Sequence, residues 1–193
     1  MIGPFPRRSL VTIGGLALSA ALLLGLAGTS IPTAPVDSGR YVTDPGATGP
    51  AVGSTFSIPA TQPLARGGSW VDAADRHTGV RLIVVDFFAT WCPPCQQETP
   101  ILRSFDRTYG ERGLLIVGVS VGEAADDVAA YASRYGLDYP IALDVDGALF
   151  RAAAAGGLPT KVLLDAGGRV IAVLPRPFTV ADGPGLIEPL LAP

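Results

Sequence analysis

The sequence predicts an α/β fold, a three-layer sandwich in which a mixed β-sheet lies between layers of helices. Apolar segments rich in β-branched residues alternate with segments of helical periodicity, and this alternation is typical of parallel strands joined by helices. Near the end of the chain, residues 161–164 and 169–174 are two strand-like segments on either side of a Gly-rich turn, which predicts an antiparallel hairpin. Parallel and antiparallel strands together indicate a mixed sheet.

The first half of the predicted core is a strand, a helix and a second strand. Residues 82–88, LIVVDFF, are apolar apart from one acid, which is typical of a strand buried on both faces. Residues 93–110 have helical periodicity, and Gly110 is expected to end that helix. Residues 114–120 repeat the pattern of a buried strand. The inner face of the helix is predicted to consist of Ile101, Leu102 and Phe105.

The second half continues the alternation before the closing hairpin. Residues 124–136 are predicted to be a helix and residues 139–143 a strand. An alanine-rich segment, residues 148–155, predicts a short helix. Prolines and a glycine within residues 179–192 limit any terminal helix to a short one. The inner face of the longer helix is predicted to consist of Val128, Ala129, Ala132 and Tyr135.

Composition and charge favour a single folded domain and exclude some functions. The chain has 193 residues, of which 48% are hydrophobic and 16% are charged, a composition that supports a core and argues against disorder. Its 14 basic and 17 acidic residues give a net charge of −3 without a basic stripe. No nucleic-acid partner is therefore expected.

Residues 1–36 are predicted to be a secretory signal peptide or an N-terminal membrane anchor. Arg7 and Arg8 precede a long apolar stretch, residues 10–27, and no further charge occurs before Asp37. A basic start followed by an apolar run is typical of a secretory leader, and the paired arginines also resemble a twin-arginine signal. The stretch is long enough to span a bilayer if it is not cleaved. In both cases the remainder of the chain is expected to be extracytoplasmic.

The exported part is predicted to be a linker followed by one domain. Residues 37–53 are rich in Gly, Pro, Thr and Asp, which is typical of a flexible linker, and the domain covers residues 54–193. Within it, residues 56–58 are interpreted as a short strand and residues 70–76 as a helical turn. His77 lies in a polar stretch and is interpreted as a solvated loop residue.

Two cysteines separated by two prolines lie between the first buried strand and the helix that follows it. Cys92 is predicted to lie at or just before the first helical turn, where unpaired backbone N–H groups and the helix dipole stabilise a thiolate. We therefore expect Cys92 to be partly exposed and to be the attacking sulfur. Cys95 lies one turn later, where it would be shielded and able to attack a mixed disulfide formed on Cys92. Pro94 suits an early helical position, because that position needs no N–H donor.

Other roles for the two thiols need residues that the sequence does not supply. A structural disulfide across two residues would constrain the unfolded chain very little. A zinc site needs a second Cys or His pair, but the chain has two cysteines and a single histidine, His77. Haem attachment needs a histidine directly after Cys95, where Gln96 stands. Copper held by both thiolates stays an alternative, although the one methionine is Met1 and no histidine lies near the pair.

The segment VDFFATWCPPC, residues 85–95, together with Glu98 and Pro100, resembles the thioredoxin superfamily. Within that superfamily it is similar to the extracytoplasmic TlpA/ResA/CcmG-like thiol:disulfide reductases. The resemblance implies a thioredoxin-like sandwich with an N-terminal hairpin ahead of the core. It also implies a dithiol enzyme that uses neither a cofactor nor a metal.

Two acidic residues near the cysteines are candidates for proton transfer. Asp86 interrupts an apolar strand, so burial should raise its pKa and let it shuttle a proton near neutral pH; a strand-end acid that reaches water is the alternative. The resemblance matches Asp86 to the buried aspartate of thioredoxins, to which deprotonation of the resolving thiol, here Cys95, is attributed. Many TlpA-like members have a non-ionisable residue there. Glu98 matches the active-site glutamate of ResA-like proteins, but its spacing alone equally fits a solvated helix residue.

The loop at residues 157–160 is the predicted docking element for a substrate. The resemblance matches Pro159 to the cis-proline of the family, and a cis bond would turn the carbonyl and N–H of Leu158 toward an extended polypeptide. Trp91 should form part of the same surface, with a core position as the alternative. The predicted substrate-binding residues are Trp91, Pro93, Pro94, Leu158, Pro159 and Thr160.

The predicted function is that of an exported, monomeric thiol:disulfide oxidoreductase. The resemblance implies a reductant of disulfide-bearing client proteins, such as apocytochrome c in cytochrome c maturation or a copper-site assembly protein. It also implies re-reduction by a membrane thiol carrier of the CcdA/DsbD kind. The direction of electron flow does not follow from the residues, so a disulfide-forming oxidase and a copper-binding assembly module stay alternatives.

Overall fold

The computed structural model describes residues 49–59, 63–66 and 79–192. All of them belong to one compact unit, Asp37–Pro193. The predicted leader, most of the predicted linker, the helical turn expected ahead of the first buried strand and His77 lie outside the described residues. Within the described ranges, no helix has both the length and the apolar character needed to cross a membrane.

A mixed six-stranded sheet forms the centre of the described residues. Its strands are β1 (Leu64–Arg66), β2 (Leu82–Phe88), β3 (Leu114–Val121), β4 (Ile141–Asp144), β5 (Thr160–Asp165) and β6 (Val170–Leu174). Their spatial order is β1-β4-β3-β2-β5-β6. Strands β2, β3 and β4 are parallel, whereas β1, β5 and β6 are antiparallel to their neighbours. The predicted mixed sheet and closing hairpin are confirmed, and β2 lies between β3 and β5.

Helices cover both faces of the sheet. They are α1 (Pro93–Tyr109), α2 (Ala125–Tyr135), α3 (Ala148–Ala152) and α4 (Glu188–Leu191). Side chains alternate along β2, so that Val84 and Phe88 join an apolar cluster with α1 and α2, while Val85 and Phe87 join a second cluster with α3. One core therefore lies on each face, which confirms the predicted three-layer α/β sandwich.

The two short extended segments ahead of β2 do not form the expected N-terminal hairpin within the described residues. Thr55 makes a single antiparallel bridge to Arg169, beside β6. By contrast, β1 pairs with β4 at the opposite edge of the sheet. Residues 56–58 are not a strand, but Phe56 and Ile58 are buried in the core on the α3 face. The hairpin expectation is wrong for this part of the chain, because the two segments extend opposite edges instead of pairing with each other.

The end of α1 differs from the prediction. The helix stops at Tyr109, but a 3-10 turn, Gly110–Arg112, continues it, and Gly110 has ordinary right-handed angles of φ −53° and ψ −52°. Gly113 makes the change of direction with φ 103°, and a Cβ there would lie 2.7 Å from the carbonyl oxygen of Gly79. Gly113, not Gly110, is therefore the glycine that this turn requires.

The inner face of α2 also differs in part. Val128 and Ala132 are buried as predicted, but Ala129 and Tyr135 are only half-buried. Tyr131 is buried as well, which the prediction missed. Its hydroxyl shares a hydrogen bond of 2.5 Å with the hydroxyl of Thr99 in α1. The helix predicted for residues 148–155 is shorter in the structure. There α3 ends at Ala152, shortly before Ala154, which adopts a left-handed conformation with φ 45°.

Candidate functional site

The two cysteines lie at the start of α1, directly after the central strand. After β2 ends at Phe88, a short loop leads to Cys92, which is the N-cap residue of α1 with φ −79° and ψ 112°. Pro93 and Pro94 occupy the first helical positions, where a missing N–H removes no helical hydrogen bond. The carbonyl of Cys92 accepts a hydrogen bond from the N–H of Gln96 at 3.0 Å. The predicted position of Cys92 at a helix start is confirmed.

Cys92 and Cys95 form a disulfide bond, and their Cα atoms are 5.3 Å apart. Their side chains are 3% and 1% exposed and belong to the core on the α1 face. The expectation that Cys92 is partly exposed is wrong for this oxidised state, because its sulfur is bonded to Cys95 and packs with the core. Trp91 is 38% exposed and Pro93 is also exposed. A core position for Trp91 is thereby excluded, and its docking role stays a prediction.

The loop before β5 contains a cis peptide bond between Leu158 and Pro159, as the resemblance implied. Thr160 pairs with Phe87 of β2, so the loop lies level with the end of the central strand. Leu158 is half-buried and packs against the core that contains the cysteines. Thr160 is 1% exposed, and its hydroxyl donates to the carbonyl of Gly157 at 2.7 Å. The Thr160 hydroxyl thus holds the loop itself, and the predicted substrate-binding role of this residue stays a prediction.

Asp86, Glu98 and Lys161 form a buried ionic cluster on the α1 face of the sheet. Their exposed fractions are 2%, 1% and 0%. Lys161 Nζ lies 3.4 Å from Asp86 Oδ1 and forms a second ion pair with Glu98 Oε2. The cluster follows from the register, because Asp86 and Lys161 are direct partners across the β2–β5 pair. Three elements, β2, α1 and β5, thus each supply one charged group.

The cluster also holds the segment that follows β6. Glu98 Oε2 accepts a hydrogen bond from the N–H of Phe178 at 2.7 Å, and Lys161 Nζ donates to the carbonyl of Arg176 at 3.2 Å. The ring of Phe178 in turn packs edge-on against Phe105 of α1 with 5.7 Å between ring centroids. Glu98 is therefore not the solvated helix residue that its spacing allowed.

Burial raises the pKa of both carboxyl groups in the cluster. For Asp86 the raised pKa is caused first by desolvation, and the charge and hydrogen bond of Lys161 oppose it. For Glu98, desolvation and then the charge of Asp86 raise the pKa to about 7, again against the effect of Lys161. The predicted burial and raised pKa of Asp86 are confirmed. Its proton-transfer role, like that of Glu98, stays a prediction.

Lys161 was assigned only to a strand of the predicted hairpin, and its part in the site was missed. Two signals in the sequence point to it in retrospect. A lysine in an otherwise apolar strand needs a buried counter-ion, and Asp86 is an unpaired acid in another apolar strand. The missing information is the register between the two strands, because a slip of one residue would move Lys161 to the other face.

Glu123 is a second residue that the sequence did not reveal, and it holds the loop before the cysteines. Its two carboxylate oxygens accept hydrogen bonds from the N–H of Thr90 at 3.1 and 2.9 Å, and Ser120 Oγ donates to Oε2 at 2.7 Å. From the other side, Gln96 Nε2 donates to the carbonyl of Thr90 at 2.7 Å. The backbone two residues before Cys92 is therefore held between the segment that follows β3 and helix α1.

Comparisons with known proteins agree with this geometry. Residues 51–182 match the Redoxin family. The chain is 34% identical over 100 residues to the thiol-disulfide oxidoreductase ResA of Geobacillus thermodenitrificans, which covers 52% of this chain and 58% of the relative. It is 32% identical over 110 residues to the thiol-disulfide oxidoreductase ResA of Bacillus subtilis, which covers 55% and 62%. The chain thus spans less than two thirds of the length of these curated relatives.

A solved structure gives the same answer for the fold. The thiol:disulfide interchange protein, thioredoxin family protein of Chlorobium tepidum TLS superposes with a TM-score of 0.58 at 29% identity, over 74% of this chain and 100% of the other. The chain belongs to the Redoxin family, within the thioredoxin superfamily.

Proposed function

We propose that the protein is a thiol:disulfide oxidoreductase that acts through Cys92 and Cys95. The observation that carries the proposal is the disulfide between these residues at the N-terminus of α1, beside a loop with a cis-proline. The relatives named thiol-disulfide oxidoreductase support it. Because the match covers only part of those relatives, the activity rests on the site geometry of this chain.

In the reducing direction, the Cys92 thiolate attacks one sulfur of a client disulfide. The other client sulfur leaves as a thiolate, and a mixed disulfide forms on Cys92. Cys95 then gives up its proton, attacks the sulfur of Cys92 and releases the second client thiolate. Two electrons pass from the dithiol to the client, and the intramolecular disulfide is the product. An oxidase would run the same steps in reverse.

The surroundings of the cysteines fit these steps. The positive end of the α1 dipole favours the thiolate of Cys92 over its thiol, although Pro93 and Pro94 supply no N–H groups there. The backbone of Leu158 can pair with an extended client chain, and Trp91 and Pro93 supply exposed surface next to the disulfide. Asp86, with its raised pKa, is suited to accept the proton of the resolving thiol near neutral pH.

The proposal extends to location and partners. Arg7 and Arg8 followed by the apolar residues 10–27 support export, by cleavage or with retention as an anchor. The ResA-like resemblance supports a monomeric reductant of disulfide-bearing client proteins, with apocytochrome c or a copper-site assembly protein as the client. It equally supports a membrane thiol carrier of the CcdA/DsbD kind as the electron donor.

Insulin reduction with dithiothreitol as the electron source tests the activity. The wild-type chain should accelerate it, Cys92→Ser should abolish the acceleration, and a substitution of exposed Val180 by Ser should leave it unchanged. Activity that survives in Cys92→Ser would refute the proposal. Stoichiometric copper in a purified protein without reductase activity would favour the assembly-module alternative.

The equilibrium redox potential tests the direction of electron flow. A titration against glutathione or dithiothreitol buffers should give a value of about −270 mV if the protein is a reductant. A value of about −120 mV would instead identify an oxidase that forms disulfides.

A further inference from the structure

We propose that a groove between the start of α1 and helix α2 binds the client polypeptide beside its disulfide and selects clients by the order of their charges. The preferred client has a basic side chain close to the disulfide and an acidic side chain about three residues further along. The groove has a volume of about 290 Å³. The proposal rests on the proposed thiol–disulfide exchange and names the client chemistry that the exchange favours.

One wall of the groove adjoins the two cysteines. Thr90 and Gln96 form this wall, two residues before Cys92 and one residue after Cys95. Gln96 Nε2 donates to the carbonyl of Thr90 at 2.7 Å, so the loop and the first turn of α1 hold each other in place. The residues next to a client sulfur that is bonded to Cys92 are therefore within reach of the groove.

The groove and the cis-proline loop lie on opposite sides of the central strand. The loop leads into β5, which pairs with one edge of β2, whereas β3 pairs with the other edge. Helix α2 follows β3 and contacts β1, at the end of the sheet beyond β3 and β4. A client chain that crosses Cys92 from Leu158 therefore meets the groove on the far side of the disulfide.

Helix α2 forms the other wall and presents two unpaired charges of opposite sign. Asp127 and Arg134 are exposed and line the groove. Neither side chain makes an ion pair or a hydrogen bond with another residue in the described part of the chain. Because they are seven residues apart, they lie on one face of the helix, about 10 Å from each other along its axis. Two free charges at a fixed spacing can pair with two charges of a client.

The direction of α2 determines which charge lies nearer the disulfide. Phe88 at the end of β2 is level with Ser120 near the end of β3, so α1 and α2 both begin at the same edge of the sheet. Asp127 is in the first turn of α2, near that edge, and Arg134 is two turns further away. A basic client side chain therefore pairs with Asp127 close to the disulfide, and an acidic one pairs with Arg134. An extended chain covers about 10 Å in three residues.

The surface between the two charges is apolar and aromatic. The rings of Tyr131 and Tyr135 contact each other with 4.6 Å between their centroids, and Ala130 leaves space beside them. The hydroxyl of Tyr131 is already bonded to Thr99. The guanidinium of Arg134 lies 5.8 Å from the centroid of the Tyr135 ring, which keeps a cation at the far end of the groove. Uncharged client residues fit between the charged ones, and a second cation at the far end is repelled.

Peptide disulfides of defined charge order test this selectivity. Each probe is a disulfide-linked peptide dimer in which one to three glycines separate the cysteine from a lysine, and a glutamate stands three residues beyond the lysine. The reversed probe exchanges the lysine and the glutamate, and both probes are made in both chain directions. The reduced protein converts each probe to two thiols while its own dithiol becomes the disulfide between Cys92 and Cys95.

The rate constant of this single turnover is the quantity to compare. For at least one spacing and direction, the wild-type protein should reduce the lysine-first probe about tenfold faster than the reversed probe, because each exposed ion pair or like-charge contact changes the rate by a small factor. Sodium chloride at about 0.5 M should diminish the ratio. If no spacing in either direction gives the lysine-first preference, the proposal is overturned.

A charge swap provides the matched test within the protein. Asp127→Lys/Arg134→Glu keeps the net charge of the chain and should invert the preference, so that the reversed probe reacts faster. Asp126→Lys is the control, because Asp126 is an exposed acid in the same helical turn that does not line the groove. This variant should keep the lysine-first preference. A double variant that retains the wild-type preference would overturn the proposal.

Filling the groove tests its shape independently of charge. Ala130→Phe places a ring in the groove and should bring the rate with the lysine-first probe down to that of the reversed probe. Ser133→Phe adds the same ring to an exposed position of α2 outside the groove and should leave the preference as in wild type. A preference that persists in Ala130→Phe would overturn the proposal.

The outcomes separate this proposal from the proposed function and from a different occupant of the groove. If the wild-type protein reduces no probe in a reaction that depends on Cys92, the proposed function fails. If it reduces all probes without regard to charge order, only the role of the groove fails. If the charge swap leaves the probe preference unchanged but alters re-reduction by a protein dithiol, with reduced thioredoxin as the donor, the groove serves the electron donor and the client proposal is overturned.

Discussion

The stability of the folded protein should depend on pH through Glu98. Its side chain is 1% exposed, and desolvation together with the charge of Asp86 raises its pKa from 4.5 to about 7. A carboxyl whose pKa is raised by folding holds its proton more tightly in the folded state. Its stabilising contribution is therefore complete below about pH 4.5 and is lost as the pH rises through about 7. At about 1.4 kcal/mol for each pKa unit, the loss amounts to about 3 kcal/mol.

Urea unfolding of the oxidised protein between pH 4.5 and pH 8 measures this loss, with Glu98→Gln as the matched control. The amide cannot titrate, but it keeps an oxygen for the N–H of Phe178. The free energy of unfolding of wild type minus that of the variant should fall by about 3 kcal/mol across the range. The raised pKa of Asp86 acts in the same direction. A difference that stays constant with pH would refute the reasoning.

Three further predictions concern the backbone. Glu123→Gln removes the charge that holds the loop before the cysteines. It should lower the free energy of unfolding by about 1–3 kcal/mol and slow the reaction of Cys92 with a disulfide in stopped flow. If neither quantity changes, the loop does not need Glu123. Gly113→Ala places a Cβ 2.7 Å from a carbonyl oxygen at φ 103°, so it should lower the free energy of urea unfolding by more than about 1 kcal/mol. Gly185→Ala is the control and should be nearly neutral, because nothing lies within 4 Å of its Cβ. Equal effects of the two substitutions would contradict the geometry. Ala154→Gly relieves a left-handed alanine at φ 45° and should raise the free energy of unfolding by about 0.5–1 kcal/mol. A loss of stability would show that the alanine is not strained.

Local features of the site could be predicted from the sequence. The position of Cys92 at a helix start follows from a buried strand, two prolines and a helical pattern, all within a few residues of it. The burial of Asp86 follows from its apolar neighbours in the same strand. The cis bond before Pro159 followed from the resemblance and not from any periodicity. Each of these predictions depends on residues that are close together along the chain.

Features that depend on distant contacts could not be predicted in the same way. Lys161 meets Asp86 only because β5 pairs antiparallel with β2 in one register. The periodicity of α1 places Glu98 one turn after Cys95, but it does not show that Phe178 and the lysine cover that face. The spacing of one helix therefore left the burial of the glutamate open, and only the packed structure decides it.

The failed boundary predictions have a related cause. Gly110 and Gly113 are both glycines near the end of a helical pattern, and the sequence does not show which one has a positive φ. The backbone of Gly79 packs against Gly113, and that contact comes from the segment ahead of β2. Likewise, Thr55 bridges Arg169 instead of the nearby β1, a choice between two sheet edges that local composition does not make.

Trapping of the mixed disulfide tests the central claim most directly, namely that Cys92 attacks and Cys95 resolves. The reduced Cys95→Ser variant should accumulate a covalent adduct on Cys92 when it is mixed with a disulfide-bonded peptide, and mass spectrometry locates the adduct. The Cys92→Ser variant should accumulate little or none under the same conditions. An adduct that forms equally well on Cys95 in Cys92→Ser, or the absence of an adduct in both variants, would contradict the account.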